Sequence, residues 1–225
     1  MFSPKRSSPH HPAGWLVDVQ RRAPSHCEVC AKLFRNLIFL RTVTIAPLSI
    51  IQFWRDEVRP ERWFAVDPNL DALIRTRYEA LWRDARAGKL TDWAMTPEGT
   101  LALLIVLDQF PRNMFRGHAD AFATDAQALA LAKQAVARRI DERLPAVLRP
   151  FVYMPYMHSE NLADQDACIA LFLDRLGPDT MNLPFARQHR DVIARFGRFP
   201  TRNAALGRPN TPEEAAFLNA ALKPH

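Results

Sequence analysis

A chain of 225 residues can bury a core without disulfides or a structural metal, and 48% hydrophobic with 24% charged residues excludes a disordered or fibrous bulk. Cys27, Cys30 and Cys168 give no disulfide framework and suit a reducing, cytoplasmic setting. Apolar runs such as Leu101 to Leu107 fall well short of the roughly 18 to 20 residues of a membrane span.

The net charge of +6 is unevenly placed. Residues 1–43 hold Lys5, Arg6, Arg21, Arg22, Lys32, Arg35 and Arg41 against Asp18 and Glu28, which accounts for five of the six excess charges. This segment opens on SPKRSSPHHP and lacks helical caps or strand alternation. It reads as a basic, disordered extension, or as sequence upstream of a true start near Val43, ahead of a targeting signal, because no long apolar stretch with a cleavage site follows. Neither a nucleic-acid partner nor a membrane is expected for the remainder, where the charge is nearly balanced. An incomplete Cys27-Glu28-Val29-Cys30 set is not expected to hold zinc.

From residue 44 to 225 apolar residues recur at helical spacing between proline and glycine stops. Pro47 opens a helix presenting Leu48, Ile51, Phe53 and Trp54. Asp67-Pro68 caps a second, with a stripe of Leu70, Leu73, Ile74, Tyr78, Leu81 and Trp82 running to about Ala87 before Gly88. Thr96-Pro97-Glu98 begins a third whose Leu101 to Leu107 core is apolar all round, the mark of a central helix. Further helices are expected over about 119–138, 159–176 and 183–196, the last closed by Gly197. Thr211-Pro212-Glu213-Glu214 is a capping box for a final helix to about Leu222. Strand signals are nearly absent, so the class is all-α, an irregular stack of antiparallel helix hairpins.

Three polar blocks could carry chemistry. In the first, LDQFPRNMFRG, Asp108 and Arg112 lie four apart, as do Arg112 and Arg116, with Gln109 and Asn113 between them; Pro111 permits a new helical turn. The second, YMPYMHSENLADQ, offers Tyr153 and the titratable pair His158 and Glu160, which share a side of an extended segment but not of a helix. The third, RFGRFPTRN, presents Arg198, Arg202 and Asn203, with His189 upstream and Arg208 beyond; guanidinium forks there suit a carboxylate or phosphate. Each block also has a structural reading: an Asp108–Arg112 cross-link, a helix capped at Ser159, and arginines satisfying carbonyls and carboxylates.

The segments LDQFPRNMFRG, FVYMPYMHSENLADQ, RFGRFPTRNAALGR and NTPEEAAFL, with Phe53-Trp54 and Trp63-Phe64 ahead of them, resemble the signature blocks of the bacterial domain of unknown function 924 family over about residues 46–220. The resemblance implies a helical fold akin to tetratricopeptide superhelices and no established activity. It also implies that Thr201 stands where the family more often has His, which removes an imidazole role at that position.

Two functional expectations follow. In the first, the blocks converge on a concave site for a small anionic ligand, phosphate or carboxylate, with His158 or Glu160 as catalytic groups and Asp108, Gln109, Arg112, Asn113, Arg116, Tyr153, His189, Arg198, Arg202 and Asn203 around the ligand. In the second, the chain is a helical module that binds a peptide or protein without catalysis. No cofactor is expected, and no metal, because no HExxH-like spacing occurs.

Overall fold

The computed structural model describes residues 45–221. The expectations placed on residues 1–43, and the Cys27 and Cys30 pair, lie outside the described residues. Among those described, every regular element is helical.

Five helices start on proline, whose missing N–H and fixed φ suit the first helical position: α1 (Pro47–Gln52), α2 (Pro68–Arg86), α3 (Pro97–Leu104), α6 (Pro150–Met157) and α9 (Pro212–Ala221). Between and beyond them lie α4 (Phe110–Met114), α5 (Asp125–Ala137), α7 (Leu162–Leu176) and α8 (Leu183–Phe196). Capping agrees with the sequence at three starts. Asp67 accepts from the N–H groups of Asn69 and Leu70 at 3.0 and 3.1 Å, and Thr96 accepts from Gly99 at 3.0 Å. Thr211 and Glu214 form the reciprocal box at 3.2 and 2.7 Å.

Some boundaries differ from expectation, each for a local reason. The helix expected from 119 begins as a 3-10 turn at Ala119–Phe122 and becomes α5 only at Asp125. Ser159 does not cap α7: its hydroxyl donates to Asp164 at 2.7 Å, while Asn161 accepts from Ala163 at 2.9 Å and sets the start two residues later. The aromatic run 150–157, to which the sequence assigns no helix, forms α6 with Pro155 inside it. Every residue from Phe151 to Met157 is buried, so packing outweighs the local cost of proline. Leu48, placed on the apolar face of α1, is 58% exposed.

Helix α3 is the centre. All residues from Gly99 to Leu104 are buried, and α1, α5 and α6 pack on it, while α2 lies against α4, α6 against α7, and α7 against α8. Gly99 is required by close approach: a Cβ there would sit 2.0 Å from the Trp93 carbonyl oxygen. Aromatic side chains join the layers, with Tyr78 stacked on Phe110 at 4.9 Å and Trp54 meeting Phe151 edge-on at 5.8 Å. No described helix is long and apolar enough to cross a membrane.

Candidate functional site

The continuation of α3 explains how a carboxylate is delivered into the core. Pro111 has no N–H for the Leu107 carbonyl, and its ring would crowd that oxygen in a regular helix. The chain instead takes a π-helical turn over Ile105–Gln109, in which Phe110 N–H bonds to Ile105, before resuming as α4. The buried Thr124 hydroxyl donates to the Leu107 oxygen at 2.5 Å and accepts from Trp82 Nε1 at 3.2 Å. Such widened turns often accompany functional sites. Here the turn carries Asp108 and Gln109.

Asp108 is fully buried. Its Oδ1 meets His158 Nδ1 at 2.7 Å and Arg112 Nη1 at 3.2 Å, and its Oδ2 accepts from Gln109 Nε2 at 2.6 Å. Arg112 also donates to the Asp108 carbonyl and clasps Asp125 with both terminal nitrogens at 2.9 and 3.0 Å. Arg202 closes the set from the C-terminal segment. One nitrogen reaches Asp125 at 3.1 Å and another the His158 carbonyl at 2.8 Å, while Phe122 and Phe199 lie on its guanidinium at 4.7 and 4.5 Å.

Burial pushes the Asp108 carboxyl upward, but the charges of Arg112 and His158 and the hydrogen bonds from His158 and Gln109 outweigh it and hold the group below its usual range. His158 moves down as well, through burial first and then the Arg112 charge, against the pull of Asp108. An imidazole depressed in this way is neutral near pH 7. With the ionised Asp108 as acceptor, its proton resides on Nδ1, which leaves Nε2 with a lone pair.

His158 terminates α6, and its outer edge helps line a cavity of about 290 Å³. The walls are apolar: Trp63, Phe64 and Ala65 from the α1–α2 connection, Met154 and Met157 from α6, and Phe185 from α8. Trp63 is fixed by donating Nε1 to the Trp54 carbonyl at 2.8 Å, within a second π-helical turn at Phe53–Val58. Phe64 and Phe185 are 60% and 57% exposed. Polar groups reach the cavity from Gln109, Arg112, Asn113, Arg116, Asn182 and His189. Arg116 clasps Asp71 of α2 through Nε and Nη2 at 2.9 and 3.0 Å, and Asn113 Nδ2 donates to the same carboxylate at 2.8 Å. His189 Nδ1 bonds the Phe185 carbonyl at 2.8 Å. Its pKa is lowered by burial, opposed by that hydrogen bond and assisted by the nearby His158, Arg202 and Arg112.

A family model for bacterial proteins of unknown function, DUF924, matches residues 50–221. The chain belongs to the DUF924 family. A solved structure of a protein of unknown function from Agrobacterium tumefaciens is similar to it, at 38% identity and a TM-score of 0.73, covering 77% of this chain and 97% of that one. No match was found among curated proteins. Membership in DUF924 spans both π-helical turns and all the cavity walls, so the site lies wholly within the family segment.

Of the residues singled out from sequence, the structure gathers Gln109, Arg112, Asn113, Arg116, His158 and His189 on the cavity, with Asp108 and Arg202 directly behind them. Glu160, Tyr153, Arg198 and Asn203 are not on the cavity lining. Both Glu160 oxygens are taken by Arg208 at 2.7 and 3.0 Å, and one also by Phe199 N–H, which together hold its carboxyl low against the effect of burial. The buried Tyr153 hydroxyl donates to Asp141 at 2.8 Å. Arg198 clasps Glu214 at 2.6 and 2.8 Å, and Asn203 bonds Asn210, Glu214 and Arg208. Sequence reasoning missed the walls as site residues. Trp63-Phe64 stood out as a pair, yet nothing local separates an aromatic that lines a hollow from one that fills a core. Among the described residues no three of His, Cys, Asp and Glu converge as a metal set.

Proposed function

We propose that this chain binds a small molecule in the Trp63–His158 cavity and uses His158 as a general base. The observation that supports the reading most directly is the Asp108–His158 pair. A fully buried carboxylate holds Nδ1 at 2.7 Å while the opposite edge of the ring borders the hollow. In that arrangement the carboxylate fixes the tautomer and stabilises the imidazolium formed when Nε2 takes a proton from water or from a ligand group. The cavity, at about 290 Å³, suits a metabolite-sized molecule. An anionic group on the ligand, carboxylate or phosphate, finds Arg116 at the rim, where Nη1 has no partner among the described residues.

The test uses the full chain. Its melting temperature is measured against panels of carboxylated and phosphorylated metabolites, and the His158 ring signals are followed by NMR with and without the Asp108→Asn change. Ligands that raise the melting temperature should also move the His158 resonances, and Asp108→Asn should alter the ring's titration. Stabilising ligands that leave His158 untouched, or a titration indifferent to Asp108→Asn, overturn the reading. Stabilisation by peptides alone would point to an interaction module instead.

A further inference from the structure

The cavity's inner wall has a polarity that the arginine content of the sequence conceals. Gln109 Nε2 must face Asp108, and Asn113 Nδ2 must face Asp71, because a carboxylate held by arginine accepts and does not donate. The orientation of both amides is therefore determined, and Gln109 Oε1 and Asn113 Oδ1 are turned away from those carboxylates. Neither oxygen receives a donor among the described residues. Neither belongs with Trp54 Nε1, Asp141 Oδ1 and Gln165 Oε1, the buried polar atoms left without a partner. Both oxygens thus meet solvent, and both residues line the cavity. With His158 Nε2, they present three hydrogen-bond acceptors on one wall.

The donors nearby are largely committed. Arg112 serves Asp108 and Asp125, and Arg202 serves Asp125 and the His158 carbonyl. Behind His158 two guanidinium groups, Arg112 and Arg202, face two carboxylates, Asp108 and Asp125, so that cluster has no net charge to offer an anion, whereas Arg116 Nη1, without a partner among the described residues, lies at the rim. Placed against these three acceptors, a phosphate or carboxylate would set its lone pairs against theirs. An ammonium would lose its hydration against a cluster with no net charge to offset that loss.

We infer that the group bound against His158 is an uncharged hydrogen-bond donor, a hydroxyl, carried on an apolar body that lies along Trp63, Phe185 and Met154. This rests on the general-base reading above and deepens it, because a hydroxyl is also a group that donates its proton in a hydrogen bond to a neutral imidazole acting as general base. In the bound state the hydroxyl donates its hydrogen bond to Nε2, the atom at which a general base takes a proton. An anionic group elsewhere on the same molecule belongs at the Arg116 rim.

Five probes sharing one phenyl body test the assignment on the full-length protein: benzyl alcohol, benzylamine, benzoate, phenyl phosphate and mandelate, which carries both hydroxyl and carboxylate. Binding is read from the His158 ring resonances. Mandelate and benzyl alcohol should move them, and mandelate should bind about tenfold more tightly than benzoate, the scale of one satisfied hydrogen bond. In Asn113→Leu that preference should fall toward unity. Benzoate or phenyl phosphate binding as tightly as mandelate overturns the hydroxyl assignment, and so does benzylamine as the best ligand. Silence from all five also overturns it, while the general-base reading is decided separately by the Asp108→Asn titration.

Discussion

His158 and Glu160 are two residues apart, carry groups of similar catalytic repute, and differ in what their partners leave unused. His158 is held through one nitrogen by Asp108 and keeps the other at the cavity. Glu160 has both oxygens closed by Arg208 and the Phe199 amide. The first cluster is restrained on one side and open on the other. The second is a clasp between the α6–α7 connection and the C-terminal segment, extended by Arg198 on Glu214 and Arg208 on Asn203. Density of charged residues therefore does not by itself distinguish the two clusters. An edge left without a partner does.

The strongest way to break the contrast is to empty the buried member of the open cluster. Asp108→Ala leaves Arg112 with Asp125 as its remaining carboxylate and His158 without its orienting partner, and should cost about 3 kcal/mol in denaturant unfolding, the lower end for breaking a buried pair. A cost below about 1 kcal/mol would mean that the pair is not buried as described. Glu160→Gln, which weakens the clasp, should cost about 2 kcal/mol, the scale of hydrogen bonds to a charged group, and should leave the His158 NMR titration in place. A His158 titration that moves as much in Glu160→Gln as in Asp108→Asn would erase the distinction between the two clusters.

Acid sharpens the contrast next. His158 and His189 are both depressed in the folded chain, so below about pH 6.5, the ordinary histidine value, the unfolded state binds more protons than the folded one. Their contribution to stability is complete above that pH and is lost as pH falls toward their folded values. Melting temperature should decline between pH 7 and 5, and His158→Gln should flatten the decline while Glu160→Gln does not. Binding of any ligand that donates to Nε2 should weaken at lower pH than the onset of that decline, when the folded imidazole itself takes up a proton. The smallest effect is expected at the far end of the clasp: Thr211→Ala removes one cap, should cost about 1 kcal/mol in unfolding experiments, and should leave the His158 resonances where they are.

Sequence reading located the polar blocks because their spacing is local. Asp108 and Arg112, four apart, do meet, although the intervening turn is π-helical and the contact is 3.2 Å. Proline, glycine and cap residues likewise marked most helix starts. What could not be read was which long-range partner each charge would find. Arg112 turns to Asp125, Arg116 to Asp71 and Arg208 to Glu160, choices set by how α2, α4, α5 and the C-terminal segment pack. The same limit concealed the acceptor wall. The amide orientations of Gln109 and Asn113 follow only once the carboxylates in front of them are known.

The reach of Arg202 has a consequence for the order in which the molecule becomes complete. It bonds His158 and Asp125 across 44 and 77 positions of chain, and Arg208 reaches Glu160 across 48. During synthesis at about 5–20 residues per second, α1 to α6 leave the ribosome several seconds before these two arginines do. The Arg202 contacts to Asp125 and to the carbonyl behind His158 are therefore made last. A chain interrupted before residue 202 would carry most of the core and both Asp108 and His158, but without the bond that braces the His158 carbonyl.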